Sequence, residues 1–446
     1  MTMRRIRSLG PLLLLAIVVA VTAGFFWWVL HSPDQVRVFL VQLVLISLLI
    51  FLGILLIRFF TLLWFGFLQH AERDVTETRE DAELPPVSVI VPAYNEGPVL
   101  ERAVRSLLRL DYPAYEILVI DDGSQDDTFA TALAWEGVHD GVPVRVFSKP
   151  NGGKATALNL GIEQAVYPFV LCMDADSSVE PQLLRRAIPH FEDASVGAVA
   201  GNVKVENRRK LITRLQALEY IEGLNMPRRA QGFIAAVNIV PGPVGVFRRE
   251  ALQDVDGYDT DTFAEDADLT LKMISAGWKI VYEDQAVAWT QAPERWLDLI
   301  QQRYRWTRGI LQSIRKRKGL LLKPVPDFPL WLSVLEMGFE AVVWPIMNVY
   351  AHLFFAVVAL LFGMGELLLY WWILLTLLDM VAALVTVSME EEELSLVPLA
   401  VVYRVFFILF LDVTKAFAAI EELFRFRMDW DQVRRLPVPD AGEVVS

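Results

Sequence analysis

Residues 10–30 (GPLLLLAIVVAVTAGFFWWVL) carry no charge. As a helix rising 1.5 Å per residue they extend about 31 Å, the hydrocarbon thickness of a bilayer. A second uncharged run, Val38 to Ile57, follows, and aromatics from Phe59 to Phe67 read as its interfacial continuation. Arg4, Arg5 and Arg7 precede the first run, as basic residues precede a cleaved secretory leader. The run is too long for a leader, ends in Phe25, Phe26, Trp27 and Trp28 where a leader has small residues, and leads into another apolar run. Residues 1–71 are therefore expected to form two membrane spans. The same arginines orient the N-terminus inward, so the region that follows returns to the cytoplasm.

The apolar signature resumes beyond Lys323. Ala341–Gly365 is uncharged, Leu367–Ser388 is interrupted only by Asp379, and a weaker stretch from Leu396 to Leu423 carries Arg404, Asp412 and Lys415. An interfacial helix around Glu336 and Glu340 and about three more spans are expected over 320–424, followed by a tail, 425–446. Three further crossings would leave Arg425, Arg427, Arg434 and Arg435 outside, against the positive-inside tendency. Either one C-terminal element is re-entrant, or the Ala341 stretch divides at Pro345.

Composition narrows the class. Hydrophobic residues make up 54% of the 446-residue chain, which excludes disorder and exceeds what one soluble core needs. Lys+Arg 41 against Asp+Glu 54 gives a net charge of −13, so no nucleic-acid partner is expected. The single cysteine, Cys172, excludes intrachain disulfides, and with only five scattered histidines no structural zinc cluster forms. A bound metal must then be held by oxygen.

Between these apolar regions, residues 85–319 read as an α/β unit. Val87–Val91, Ile117–Ile120, Val144–Phe147 and Phe169–Met173 have the short, uniformly apolar character of buried strands. Helical patterns separate them: Val99, Ala103, Leu107 and Leu110 form one stripe. This alternation implies a mostly parallel sheet, whose ligands sit at the carboxyl ends of its strands.

Acidic motifs stand at those ends. The first strand runs into Pro92-Ala93-Tyr94-Asn95-Glu96 and the second into Asp121-Asp122-Gly123-Ser124. Asp-Asp-Gly is also an ordinary turn sequence, but beside a ligand crevice its carboxylates can accept hydrogen bonds from a base or ribose. Asp174-Ala175-Asp176 closes the fourth apolar run, and two oxygen ligands so placed can chelate a divalent cation on a diphosphate. Asn151-Gly152-Gly153-Lys154 is not a Walker loop, because Ser148 stands where that pattern needs glycine. Its turn can still offer amides and one cation to a phosphate.

Phe263-Ala264-Glu265-Asp266 opens a helical pattern, where carboxylates serve as caps or as a base for an attacking hydroxyl. Gln301-Gln302-Arg303-Tyr304-Arg305-Trp306 precedes Arg308, Arg315, Lys316, Arg317 and Lys318, a basic helix suited to anionic headgroups.

The ordered set Asp121-Asp122-Gly, Asp174-x-Asp176, Glu265-Asp266 and Gln302-x-x-Arg305-Trp306, set between apolar spans, resembles the processive family 2 glycosyltransferases. These include cellulose, chitin, hyaluronan and poly-N-acetylglucosamine synthases. The layout of two leading and about three trailing spans is most similar to bacterial poly-β-1,6-N-acetylglucosamine synthases. The resemblance implies a cytosolic GT-A domain, Rossmann-like, at the inner face of the bacterial plasma membrane. It also implies a UDP-sugar donor, UDP-N-acetylglucosamine in that subgroup, and Mg²⁺ or Mn²⁺. The further partners it implies are a growing β-linked polysaccharide, the lipid bilayer and room for a small membrane accessory subunit. A non-processive enzyme adding one sugar to a lipid carrier shares the donor site and stays as one alternative, and a hyaluronan-, chitin- or cellulose-type synthase as another.

By the same resemblance, Pro92, Ala93, Tyr94 and Glu96 would hold the uridine, with Asp121 or Asp122 on the base. Asp174 and Asp176 would hold the metal, with Lys154 alongside the diphosphate. Asp266, next to Glu265, would be the general base for the acceptor hydroxyl. Gln302 and Arg305 would close over the diphosphate, Trp306 would stack the terminal sugar, and Gly242 and Pro243 would face the acceptor. The family carries Thr before Glu-Asp; here Ala264 stands there.

Overall fold

The computed structural model describes residues 24, 27, 28, 31, 33–71, 84–322 and 328–424. Apart from three positions, the first expected span lies outside the described residues, as do 72–83, Lys323 to 327 and the tail with its arginines.

Nine strands form one sheet: β1 (Val87–Ala93), β2 (Tyr115–Asp121), β3 (Gly137–His139), β4 (Val142–Ser148), β5 (Phe169–Cys172), β6 (Ser178–Val179), β7 (Val196–Val205), β8 (Gly245–Arg248) and β9 (Lys279–Thr290). Their order is β3-β4-β2-β1-β5-β8-β7-β9-β6. Strands β4, β2, β1 and β5 run parallel, and β7 pairs with β9 in parallel. The remaining pairs, including β8 against both β5 and β7, are antiparallel, so the sheet is mixed. The contrast in sequence has a physical origin. β1 and β2 are buried at every position because layers cover both faces, whereas β9 alternates between buried and part-exposed residues.

Register builds the crevice. Ala93 lies abreast of Asp121, Asp121 abreast of Ser148, and Ile90 abreast of Cys172. The loops after β1, β2, β4 and β5 therefore leave the sheet along one edge. Because β8 runs against β5, with Gly245 opposite Cys172, the Pro241-Gly242-Pro243 loop that precedes β8 arrives at that edge too.

Four helical stretches among the described residues are long and apolar enough to cross a membrane: Gln42–Ala71, Trp331–Leu360, Gly365–Met389 and Leu394–Leu423. They mark a membrane-associated chain. The run from Val38 and its aromatic continuation form a single helix, Asp34–Ala71, and Phe65 stacks on Phe233 of the α/β unit at 5.5 Å. Glu336 and Glu340 lie inside Trp331–Leu360, where Arg58 pairs with both. Pro345 sits in the first turn of Trp344–Phe362, where its missing N–H costs least, and the stretch runs on without dividing. Arg404 grips Asp379 through two nitrogens, and Asp412 accepts from Asn348 (2.7 Å) and Trp344 (3.1 Å). Asp379, Arg404 and Asp412 thus each meet a partner from another helix, as ionisable groups among lipid-facing helices must.

Candidate active site

Two loops are stitched together at the β1–β2 end of the crevice. The Asp122 amide donates to the Ala93 carbonyl (2.9 Å), Asn95 accepts from the Gln125 amide (2.8 Å), and the Glu96 amide donates to Thr128 (2.8 Å). Asn95 holds a left-handed conformation (φ 56°), which asparagine tolerates. Asp121 accepts from the Ser124 amide (3.2 Å) and the Ser148 hydroxyl (2.9 Å). Asp122 accepts from the Gly152 and Gly153 amides (3.1 and 2.8 Å) and pairs with Lys149. Gly123 sits at φ 72°, and a side chain there would meet the Asn151 amide nitrogen at 2.7 Å. These contacts are those of the turn reading of Asp-Asp-Gly. The carboxylates shape the loop, while each retains lone pairs for one more donor.

At the centre, Lys154 opens the Lys154–Gln164 helix and places its ammonium between Asp174 (2.6 Å) and Glu265 (2.8 Å). Burial works to lower the Lys154 pKa, but Asp174, Glu265 and Asp266 together hold it well above the usual lysine value. Burial raises Asp174, Lys154 opposes this, and the neighbouring charge of Asp176 raises it further. Burial also works to raise Glu265, yet Lys154, with Arg305 beside it, keeps that carboxyl below the ordinary range. Asp266 goes the other way. Desolvation and the charge of Glu265 push it up to about 6, against the pull of Lys154 and the Ala267 amide at 2.8 Å. Adjacent carboxylates with pKa values driven apart are a familiar arrangement at catalytic centres.

Gly242 fits against this cluster: a Cβ there would lie 2.8 Å from Lys154 Nζ and 3.2 Å from an Asp174 oxygen. Asp176 is buried, its carboxylate accepting from Ser177 (3.2 Å) and its carbonyl from Arg102 (2.8 Å). Pro92 and Ala93 are buried in β1, with Tyr94 and Glu96 partly exposed at its mouth.

Asp174 and Asp176 fit a hard divalent cation, since they offer carboxylate oxygens from one loop and the charge of Asp176 raises the Asp174 pKa, which a cation would relieve. A three-carboxylate cluster lies elsewhere, at Asp259, Asp261 and Asp268. Lys316 already fills it, reaching all three, and Arg317 adds a second cation.

The Trp296–Lys316 helix carries Gln302, Arg305 and Trp306, and sets Arg305 beside Glu265. Its closest approach is at Gly309, against Phe263 and Ala264 just ahead of Glu265, and Gln312 accepts from the Phe263 amide (3.2 Å). Gln302 accepts from Arg303. Arg303 is the residue sequence reading passed over. It is almost fully buried, bidentate to Glu219 (2.9 and 2.7 Å), and its guanidinium covers one face of Trp306 at 4.2 Å. Asn159 was missed as well; it clamps the Tyr258 backbone with two 2.8 Å hydrogen bonds and so ties the Lys154 helix to the loop that leads to Glu265.

Trp306 also borders a cavity of about 280 Å³ that continues from Glu219 and Glu222 to Asp379, Arg404 and Asp412 among the apolar helices. Its lining thus joins the helix that carries Trp306 to residues of the apolar helices.

Comparison with known proteins bears on the family and the fold. Poly-beta-1,6-N-acetyl-D-glucosamine synthase from Staphylococcus aureus (strain COL) is 33% identical over 255 residues, 57% of this chain and 61% of that one. The Staphylococcus epidermidis protein of the same name is 34% identical over 231 residues, 52% of this chain and 56% of that one. The matches therefore span less than two thirds of these relatives' length. Among solved structures, the mannosyltransferase PcManGT from Pyrobaculum calidifontis, in complex with GDP-Man and Mn²⁺, is similar in fold. It has a TM-score of 0.55 at 21% identity, covering 84% of this chain and 98% of that one. The sheet and its flanking helices are those of a GT-A glycosyltransferase. The family model described as glycosyltransferase like family 2 matches residues 85–309, half of the chain, and the chain belongs to that family.

Proposed function

We propose that the chain is an inverting, processive glycosyltransferase that elongates a β-linked polysaccharide from a UDP-sugar, UDP-N-acetylglucosamine, at the cytoplasmic face of the plasma membrane. The observation that carries this reading is continuity. The helix that carries Trp306 also sets Arg305 beside Glu265 of the Lys154–Asp174–Glu265–Asp266 cluster, and the cavity that Trp306 borders continues among the apolar helices. The similarity to poly-beta-1,6-N-acetyl-D-glucosamine synthases supports the choice of sugar.

In this reading Pro92, Ala93, Tyr94, Glu96 and Asp121 or Asp122 receive the nucleoside, and Lys154 and Arg305 face the diphosphate. Asp174 and Asp176 are the ligands for Mg²⁺ or Mn²⁺, and such an ion, when bound, supplies Lewis-acid neutralisation of the departing UDP. Asp266 takes the proton of the acceptor hydroxyl, with its carboxyl tuned near neutrality, where a general base contributes about 10²–10⁴ in rate. Attack opposite the leaving group inverts the anomeric carbon. Trp306, with one face taken by Arg303, offers the other to the apolar side of the terminal pyranose. Gly242 and Pro243 bring backbone, with no bulk, to the acceptor side.

Membranes carrying the chain, given UDP-N-acetylglucosamine and Mg²⁺ or Mn²⁺, are expected to release UDP and form a high-mass polymer. A single-sugar glycolipid instead would establish the non-processive alternative. Trp306→Ala is expected to reduce elongation more than donor hydrolysis, and equal loss of both would contradict sugar stacking.

A further inference from the structure

The cavity beyond Trp306 has an unusual wall. Three π-helical turns occur among the described residues, Tyr220–Asn225, Phe339–Val343 and Tyr403–Phe407. Each contributes to this one cavity, through Glu222, Glu340 and Arg404 respectively. Single π turns are rare insertions that collect at functional sites, because they re-aim side chains at the expense of regular hydrogen bonding.

The charges lining the cavity are largely spent on one another. Arg303 is held by Glu219, Arg58 by Glu340, and Arg404 Nε and Nη2 by Asp379. Three buried atoms of the lining have no hydrogen-bond partner among the described residues: Arg58 Nε, which still faces the Glu336 carboxylate at 3.2 Å, and Glu222 Oε1 and Arg404 Nη1, which are left over. Buried polar atoms in that condition are costly and call for a ligand. The last two are also complementary, one an acceptor and the other a donor, which is what a single sugar hydroxyl satisfies. Burial raises the Glu222 carboxyl well above its usual value, with Asp379 adding to this and Arg404 opposing it. That favours the protonated acid, itself both donor and acceptor. A uronate would instead meet Glu222, Asp379 and Asp412 with the arginines already paired.

We propose that Glu222 and Arg404 form a second sugar subsite, one pyranose further along than the ring stacked on Trp306, built for an uncharged polymer. This rests on the processive reading given above and adds to it where the chain is gripped after each transfer.

The test uses the full chain in membranes with UDP-N-acetylglucosamine as donor, and compares N-acetylglucosamine with its β-1,6-linked disaccharide as acceptor. The unsubstituted chain is expected to show a lower KM for the disaccharide. Glu222→Ala is expected to raise the disaccharide KM about tenfold relative to the monosaccharide KM, the size of one lost hydrogen bond to a strongly polar group. Glu222→Gln, which keeps the shape and an acceptor oxygen, should recover most of that ratio. UDP binding reports folding in each variant. A ratio unchanged in Glu222→Ala with UDP binding intact would overturn the subsite. Absence of any transfer by the unsubstituted chain, with UDP bound, would instead overturn the parent reading and the subsite with it.

Discussion

Gly309 meets Ala264 so closely that a Cβ added to the glycine would stand 2.5 Å from both the Ala264 Cβ and its amide nitrogen. The helix bearing Arg305 and Trp306 is thereby seated directly on the start of the helix bearing Glu265 and Asp266. One of the two obstacles is backbone and cannot swing aside, so Gly309→Ala must push the helices apart. Misplacing reacting groups by an ångström is worth about 10²-fold in rate. Gly309→Ala is expected to lose transfer on that order in steady-state UDP release while binding UDP normally. Adding Ala264→Gly removes only the Cβ contact, so partial recovery is expected from the double variant.

Asp266 sets a pH limb. With its carboxyl at about 6 and the ionised form active, the rate of UDP release should fall as pH drops through about 6 and level off above it. Lys154 holds that value down, so Lys154→Met should move the limb to higher pH, and a shift to lower pH would contradict the electrostatics. Asp266→Asn should abolish turnover and spare UDP binding; near-normal synthesis would remove Asp266 from the base role.

Asp176 is buried beside the more open Asp174 and raises its pKa. Asp176→Ala should therefore weaken UDP binding only when Mg²⁺ or Mn²⁺ is present. A calorimetric titration with and without the ion separates the cases, and equal affinity in both conditions for the unsubstituted chain would dismiss the metal site.

The parallel half of the sheet was legible because strands covered on both faces need unbroken apolar runs. β1, β2, β4 and β5 fall within a residue or two of Val87–Val91, Ile117–Ile120, Val144–Phe147 and Phe169–Met173. β8 is only four residues long, and β9 carries Glu283 and Asp284 on an alternating pattern, so neither announces itself. Asp174, Asp176, Glu265 and Asp266 were legible because small acidic residues at strand and helix ends are local signals. Arg303 was not, since nothing nearby distinguishes it from the solvated cations around it. Its burial is decided by Glu219, 84 positions away. Arg58, answered by Glu340 from 282 positions away, is the same case among the apolar helices.

The last apolar stretch gives a prediction about crossing. Leu394–Leu423 is long and apolar enough to span a bilayer, yet both its ends are fastened to the α/β unit. Arg214 donates to Ser395 (3.1 Å) at one end, while Arg308 and Arg315 hold Glu422 (3.0 and 2.8 Å) at the other. Between them, Trp296 packs on Phe406 and Phe410, and Tyr304 on Phe417. The stretch thus lies alongside Trp296–Lys316, a helix too rich in arginine to sit in hydrocarbon. It should rest on the cytoplasmic surface without crossing, leaving two C-terminal spans where about three were expected. Arg425, Arg427, Arg434 and Arg435 would then follow on the inner side, in line with their charge. Because the only cysteine, Cys172, is buried, single-cysteine labelling can decide this. Ser395→Cys and Leu423→Cys should both react with a membrane-impermeant maleimide in inverted vesicles and stay silent in intact cells, whereas Met364→Cys, between the two spans, should do the reverse. Labelling of Leu423→Cys from outside the cell would mean that the helix crosses after all.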